Sequence, residues 1–398
     1  MQNQRAQLVL KAGKEKSVNQ GHPWLFSGAV QTLRGSPAAG ANVDVVDHKG
    51  QFLAGAYYNP QSSIVARVFS RDAAVEFDAD LIKQRLGAAW QRRANLRSER
   101  NTMQRVVASE ADLLPGLIVD RYGDWVVFQI LTLGMDVHRA AIIAAIQSEL
   151  KPLGIIERSD EAIRTKEGLE PRKEIIFGEW PASGGIEAWE EGLRYRIDLW
   201  EGHKTGFYLD QRINRSLVGR YAEGAEVLNC FAYTGGFSCA AGVAGAKRVV
   251  SVDESRPALD LAEHNWKANA AEGEHETVRA DVFSYLRQLR SAGTQFDLIV
   301  MDPPKFVSDK HHLDRACRGY KDLNLLAFQL LRPGGHLATF SCSGLLSRDL
   351  FQKVIFGAGV DARCEVQILH HLSQADDHPV LLNFPESLYL KGLFCKKI

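Results

Sequence analysis

Leu228-Asn-Cys-Phe-Ala-Tyr-Thr-Gly-Gly-Phe-Ser-Cys-Ala-Ala241 is the stretch that decides how this chain is read. Val227, Leu228, Cys230 and Phe231 form a short apolar run with the character of a buried strand. Gly235 and Gly236 then allow a sharp turn and a close backbone approach to a ligand, with no Cβ in the way. The residues after them read as a helix whose first amides would face a crevice, and Tyr233 and Thr234 fall on the connecting turn. A glycine pair after a strand also serves packing alone, so the neighbours decide. Asp253 stands eighteen residues past Gly235, at the end of Arg248-Val-Val-Ser-Val252, where a doubly wound fold puts a carboxylate for two ribose hydroxyls. A further strand-like stretch ends at Asp281, and 296–301 runs into Asp302-Pro303-Pro304-Lys305-Phe306. Three successive strand ends thus carry an aspartate.

From about Gly192 to the end the chain alternates strand and helix, with strands expected near 226–231, 248–252, 277–280, 296–301, 334–340, 364–370 and 387–395. That alternation implies a mostly parallel sheet with helices on both faces, and a ligand outside the carboxyl ends of the central strands. The last two strands, joined through His378 and Pro379, suit an antiparallel hairpin at the sheet edge. By fold analogy, seven strands with that hairpin point to an S-adenosylmethionine methyltransferase. On the same carboxyl edge, Thr339-Phe-Ser-Cys-Ser-Gly344 places Cys342 just after a strand. A thiolate there could add to C6 of cytosine and make C5 nucleophilic, with Asp302 steadying N3. The other reading of a lone cysteine is a small buried apolar residue, and Cys317 is the rival thiol.

Lysine plus arginine equal aspartate plus glutamate, so net charge alone says nothing about a polyanionic partner. Residues 1–71, however, hold eight basic side chains against three acidic ones. The six cysteines form no CxxC pair and show neither metal-ligand nor disulfide spacing, which fits a reduced compartment and no bound metal. No leader pattern and no long apolar run is present, so a soluble, cytoplasmic protein without membrane attachment is expected. Beta-prone runs at 7–10, 43–47, 52–58 and 64–69 suggest a small β domain. KAGKEKSVNQGHPWLFSGAV and NVDVVDHKGQFLAGAYYNPQSSIVARVFS within it resemble a PUA domain, a compact RNA-binding β-barrel. Lys14, Lys16, His22 and Trp24 could contact a single strand, although Trp24 and Phe26 are expected to fill the barrel. Between 72 and 190, a helix over 80–100 should present Arg85, Arg92, Arg93, Arg97 and Arg100 as a basic face. A hairpin turning at Tyr122-Gly123-Asp124 follows, then a helix over 135–150 and a strand near 155–158. No catalytic constellation falls in this block, whose expected job is to join the RNA-binding end to the enzyme.

Five motifs together carry a resemblance that spans the whole chain: Gly202-His-Lys-Thr-Gly-Phe-Tyr-Leu-Asp-Gln-Arg212, Leu228-Asn-Cys-Phe-Ala-Tyr-Thr-Gly-Gly-Phe237, Val300-Met-Asp-Pro-Pro-Lys-Phe306, Ala316-Cys-Arg-Gly-Tyr-Lys-Asp322 and Phe340-Ser-Cys-Ser-Gly344. The sequence is similar to the large-subunit ribosomal RNA methyltransferase I family, which forms 5-methylcytosine in 23S ribosomal RNA. The resemblance implies an α/β fold: a seven-stranded, Rossmann-like SAM-dependent methyltransferase domain (191–398), preceded by a small β-barrel PUA domain (1–71) and a central α+β domain (72–190). It implies S-adenosylmethionine as cofactor, with Phe207, Asp210, Gln211, Tyr233, Thr234, Gly235, Gly236, Asp302 and Pro303 bordering it, Asp253 on its ribose and Asp281 near its adenine. Cys342 would be the nucleophile, and large-subunit ribosomal RNA the partner, met by Lys14, Lys16, Lys305 and Arg318. The oligomeric state stays open, a homodimer among the options.

Many RNA 5-methylcytosine enzymes have a second cysteine where this chain has Pro304, so the group that removes the C5 proton is unassigned. Asp302, a water or Cys317 could serve. Asp-Pro-Pro also resembles the motif of amino-group methyltransferases, which makes N-methylation of adenine the alternative chemistry. A non-catalytic RNA-binding assembly factor is the alternative of another class, favoured by the degenerate glycine loop and opposed by the presence of Asp253, Asp302 and Cys342. C6 must be reached from the face of the base, so a flipped base is expected.

Overall fold

Six short strands build the N-terminal sheet: β1 (Gln7–Leu10), β2 (Trp24–Phe26), β3 (Val30–Arg34), β4 (Asn42–Val46), β5 (Phe52–Tyr58) and β6 (Ile64–Ser70). Their order is β2-β6-β5-β4-β1-β3, with β1 and β4 parallel and the other pairs antiparallel. Leu8 and Leu10, Val43 and Val45, Ala54 and Ala56, and Ala66 and Val68 alternate inward and close one core, as the two-residue period of a strand requires. β2 and β3 escape sequence reading because one is three residues long and the other, Val-Gln-Thr-Leu-Arg, is an edge strand with little to bury. Phe26 does not fill the sheet's interior, being half exposed. Trp24 instead donates its Nε1–H to Glu110 at 2.7 Å and meets the Phe384 ring edge-on at 4.7 Å.

The next block holds β7 (Met103–Ala108), β8 (Leu117–Tyr122), β9 (Trp125–Ile130), β10 (Gly154–Ser159) and β11 (Arg172–Phe177), ordered β11-β10-β9-β8-β7. Helices Ala79–Arg92 and Arg139–Leu150 contribute Ile82, Leu86, Ile142 and Ile146 to its core, which Tyr57 and Phe69 of the first sheet also enter. The expected basic face of the first helix is largely consumed at home. Arg93 is buried against Asp112 and the Asp377 carbonyl, Arg92 bonds Asp112, Arg85 bonds two carbonyls, and Arg97 lies over the Trp90 ring. Two of the eight basic side chains of residues 1–71 are spent similarly, Arg5 on Asp44 and Glu76, Arg67 on Glu110 and Glu167, while Lys14 and Lys16 stay exposed.

β12 (Ile186–Glu190) and β13 (Leu193–Ile197) form a two-stranded sheet. The last seven strands are β14 (Glu226–Cys230), β15 (Arg248–Asp253), β16 (Glu274–Arg279), β17 (Phe296–Met301), β18 (Leu331–Ser341), β19 (Val366–Leu372) and β20 (Lys391–Lys397). They order as β16-β15-β14-β17-β18-β20-β19, parallel through β18, with β20 antiparallel to both its neighbours. Leu228, Val250, Ile299 and Leu337 point to one core, while Val227, Val249, Leu298 and Ala338 point to another on the opposite face. Both faces are covered, which is why these strands read as continuous apolar runs. The edge strand β16, Glu-His-Glu-Thr-Val-Arg, does not, and its expected start came three residues late.

The computed structural model describes residues 5–181, 184–306 and 312–398, which gather into two units. One takes the described residues up to Ala188 together with Ile197–Phe207 and Asp377–Ser387. The other takes Trp189–Arg196, Tyr208–Asp376 and Leu388–Ile398. Among the described residues no helix is long and apolar enough to cross a membrane, and no three His, Cys, Asp or Glu side chains cluster as a metal site would require.

Candidate active site

The chain leaves β14 through a strained loop. Phe231 and Tyr233 take left-handed φ values of 59° and 48°, and Gly235 follows at 78° before the helix Gly236–Val243. Left-handed non-glycine residues cost of order 1–3 kcal/mol each and gather at functional sites. Asp253, at the tip of β15, holds this loop: its Oδ2 accepts from the Tyr233 amide and its Oδ1 from the Ser255 amide, both at 2.9 Å. The carboxylate is fixed in direction while each oxygen keeps a lone pair for a diol. Gly235 also has a packing reason. A Cβ there would lie 2.9 Å from the Ala262 Cβ, so glycine lets the loop pack on the helix Arg256–Ala268.

Asp281 caps the helix Val282–Ser291, accepting from the Ser284 amide and hydroxyl, and those bonds hold its carboxyl below the usual carboxylate range. Asp302 follows β17 and accepts from Gln211 Nε2 at 2.9 Å, while Gln211 Oε1 accepts from Asn214 at 2.6 Å. Gln211 and Asn214 are buried, so the amide is locked with its donor toward Asp302. Gln211 therefore orients the strand-end carboxylate. Asp210, also buried, accepts from the Tyr389 hydroxyl at 2.6 Å. Pro303 is buried, whereas Lys305 and Arg318 are exposed, as are Lys14 and Lys16 in the other unit. Phe207 belongs to that other unit as well; its ring is buried and its carbonyl accepts from the Tyr122 hydroxyl.

Cys342 stands just past β18, partly exposed, between two buried serines. Ser341 Oγ donates to the Tyr320 hydroxyl at 2.9 Å, and Ser343 Oγ lies 3.4 Å from the same oxygen. Alternation along the extended chain then sends Cys342 to the other side. Cys317 is on the helix Leu313–Leu330, where burial and the Asp314 charge push its thiol up. Burial likewise raises Cys230, Cys364, Cys239 and Cys395, the last two to about 12, which disfavours the thiolate at each.

Three residues of this centre were missed in the sequence. Tyr208 meets the Tyr233 ring edge-on at 5.4 Å, and burial raises its hydroxyl together with the nearby charges of Asp302, Asp210 and Cys342. It sat inside a quoted motif, next to Phe207. Tyr320, which also lies within one of the five motifs, holds the Ser-Cys-Ser turn from a helix. Lys391 left a local signal, as a lone cation between Leu390 and Gly392 in an apolar strand.

A PUA-like domain model matches residues 8–71, and an S-adenosylmethionine-dependent methyltransferase model matches 172–377, about half of the chain. The chain is 48% identical over 392 residues to the ribosomal RNA large subunit methyltransferase I of Citrobacter koseri, covering 98% of each. It is 47% identical to that of Erwinia tasmaniensis, over 98% of this chain and 99% of the other. Among solved structures, a Streptococcus mutans protein described as a SAM-dependent methyltransferase superposes with a TM-score of 0.84 at 25% identity, and a methyltransferase solved with SAH with 0.85 at 25%. Each match covers 98% of this chain and 99% of the other. The cofactor is S-adenosylmethionine, and the residues fit it. Asp253 offers a fixed carboxylate for a ribose diol, and the buried Thr234 hydroxyl has no protein partner among the described residues. With a PUA-like segment ahead of a seven-stranded cofactor-binding sheet, and near-half identity along its whole length, the chain belongs to the ribosomal RNA large subunit methyltransferase I family.

Proposed function

We propose that the protein methylates C5 of one cytosine in large-subunit ribosomal RNA, through a covalent adduct between Cys342 and C6. The observation that carries this reading is the pairing of β17 with β18. Met301 lies opposite Thr339, so Asp302 and Cys342 leave neighbouring strand ends, and the Tyr208 hydroxyl feels the charge of both. The Cys342 thiolate forms the S–C6 bond as the C5–C6 π electrons shift toward C5, and Asp302, as the protonated acid, donates a hydrogen bond to N3 as negative charge develops there. S-adenosylmethionine, when bound, supplies a sulfonium-activated methyl group. Once C5 carries its new substituent, loss of its proton expels the sulfur and restores the aromatic ring.

Phe207, Asp210, Gln211, Tyr233, Thr234, Gly235, Gly236, Asp281 and Pro303 border the cofactor in this reading, with Asp253 on its ribose. Exposed Lys14, Lys16, Lys305 and Arg318 supply phosphate contacts, and segments 1–71, 72–190 and 191–398 act as RNA-binding, joining and catalytic modules in the cytoplasm. The adenine alternative would use Phe306 to stack on the base, but that ring already packs on Tyr320 at 4.8 Å. Nucleoside mass spectrometry of unmodified large-subunit RNA and subunits, after incubation with S-adenosylmethionine, tests the proposal. New 5-methylcytosine with wild type and none with Cys342→Ala is expected. Product from the mutant, methyladenosine, or no product on either substrate would refute it.

A further inference from the structure

We propose that Lys391 is a positioning residue for Cys342, its ammonium group holding that side chain in the thiolate form ready for attack. The inference rests on Cys342 being the nucleophile. β20 buries Leu393, Phe394 and Cys395, yet its first residue is a lysine only 5% exposed. In the antiparallel register Lys391 lies opposite Ser341, the residue before Cys342. Its Nζ donates to the carbonyl of Ser343, the residue after Cys342, and to that of Tyr389, both at 2.7 Å. The cation is thus tied to the carbonyl just after the thiol, and the lysine's own backbone pairs with the residue just before it.

An ammonium has three donors, and both carbonyls are neutral, so neither cancels its charge. The charged groups that act on it are Cys342, which favours the ammonium, and Arg348, which opposes it. Burial together with Arg348 brings Lys391 down to about 8. The ammonium is therefore present at neutral pH and lost as pH rises through that value. When the thiol ionises, its proton leaves to solvent and Lys391 keeps its own, giving a thiolate–ammonium pair. A lysine placed only to clamp the turn would have no reason to affect the thiol's acidity.

The test is peptide-resolved iodoacetamide alkylation of the full-length protein across pH, for wild type, Lys391→Met and Lys391→Arg, with Cys317 as the internal reference. Removing the charge should move the Cys342 midpoint up by about one pH unit or more, so alkylation below both midpoints slows roughly tenfold. Lys391→Arg should restore most of the rate, and Cys317 should not change. If Lys391→Met fails to fold, Lys391→Gln, which still donates hydrogen bonds, carries the same expectation. A folded neutral variant whose Cys342 profile superimposes on wild type overturns the proposal. Methyl transfer surviving in Cys342→Ala would instead sink the nucleophile reading, and the alkylation profiles would still decide whether Lys391 governs the thiol.

Discussion

Gly235→Ala separates the two reasons a glycine can stand in the cofactor loop. The backbone there has φ of 78°, where an alanine costs about 1–2 kcal/mol. The new Cβ would also lie 2.9 Å from the Ala262 Cβ and 3.2 Å from its Cα, atoms on the buried face of a helix that no rotamer change can move. Relieving such a contact means shifting the helix Arg256–Ala268, an overpacking cost of about 1–3 kcal/mol. Together these predict a loss of roughly 2–5 kcal/mol, or a fall in Tm of roughly 4–20 °C for a unit of this size. Differential scanning calorimetry gives the first quantity, and titration with S-adenosylmethionine well below the transition gives the second. Because the Cβ meets a helix and not ligand space, affinity of the folded variant should stay within about fivefold of wild type, short of the ~1 kcal/mol of a lost contact. A variant as stable as wild type that no longer binds the cofactor would refute the packing argument.

Two further outcomes follow from the polar contacts. Gln211→Leu removes the donor that orients Asp302 and the acceptor of Asn214, so single-turnover methylation at saturating S-adenosylmethionine should slow by roughly 10–100-fold; an unchanged rate would mean that Asp302 is held by other means. In the other unit, burial alone would raise the Asp112 carboxyl, but bonds from Arg93, Arg92 and the Ala108 amide outweigh it and hold the group below its usual value. A depressed folded-state value contributes stability that is full above the unfolded carboxylate value, near pH 4, and is lost as pH falls through the folded one. Urea unfolding of wild type should therefore weaken below about pH 4, and Asp112→Asn should lose that part of the pH slope; parallel slopes would contradict it.

The sequence by itself determined the catalytic sheet. Its central strands are buried on both faces and so are written as apolar runs, and the aspartates Asp253, Asp281 and Asp302 mark the carboxyl edge where such a fold binds ligands. The hairpin at Tyr122-Gly123-Asp124 was legible for the same kind of reason, a turn residue between two β-prone runs. Edge strands β3, β16 and β19 were blurred because an edge buries little and leaves no pattern. Only the tertiary structure decided which charges are free. Arg93 and Arg67 look like surface cations in one dimension, and both are buried on carboxylates far along the chain. It also decided what each site residue does: Gln211 turns its amide to Asp302, Gly235 makes room for Ala262, and Lys391 reaches the carbonyl beside Cys342. Hydrogen bonds and steric contacts depend on positions fixed by residues tens to hundreds apart in sequence, and no local pattern encodes that distance.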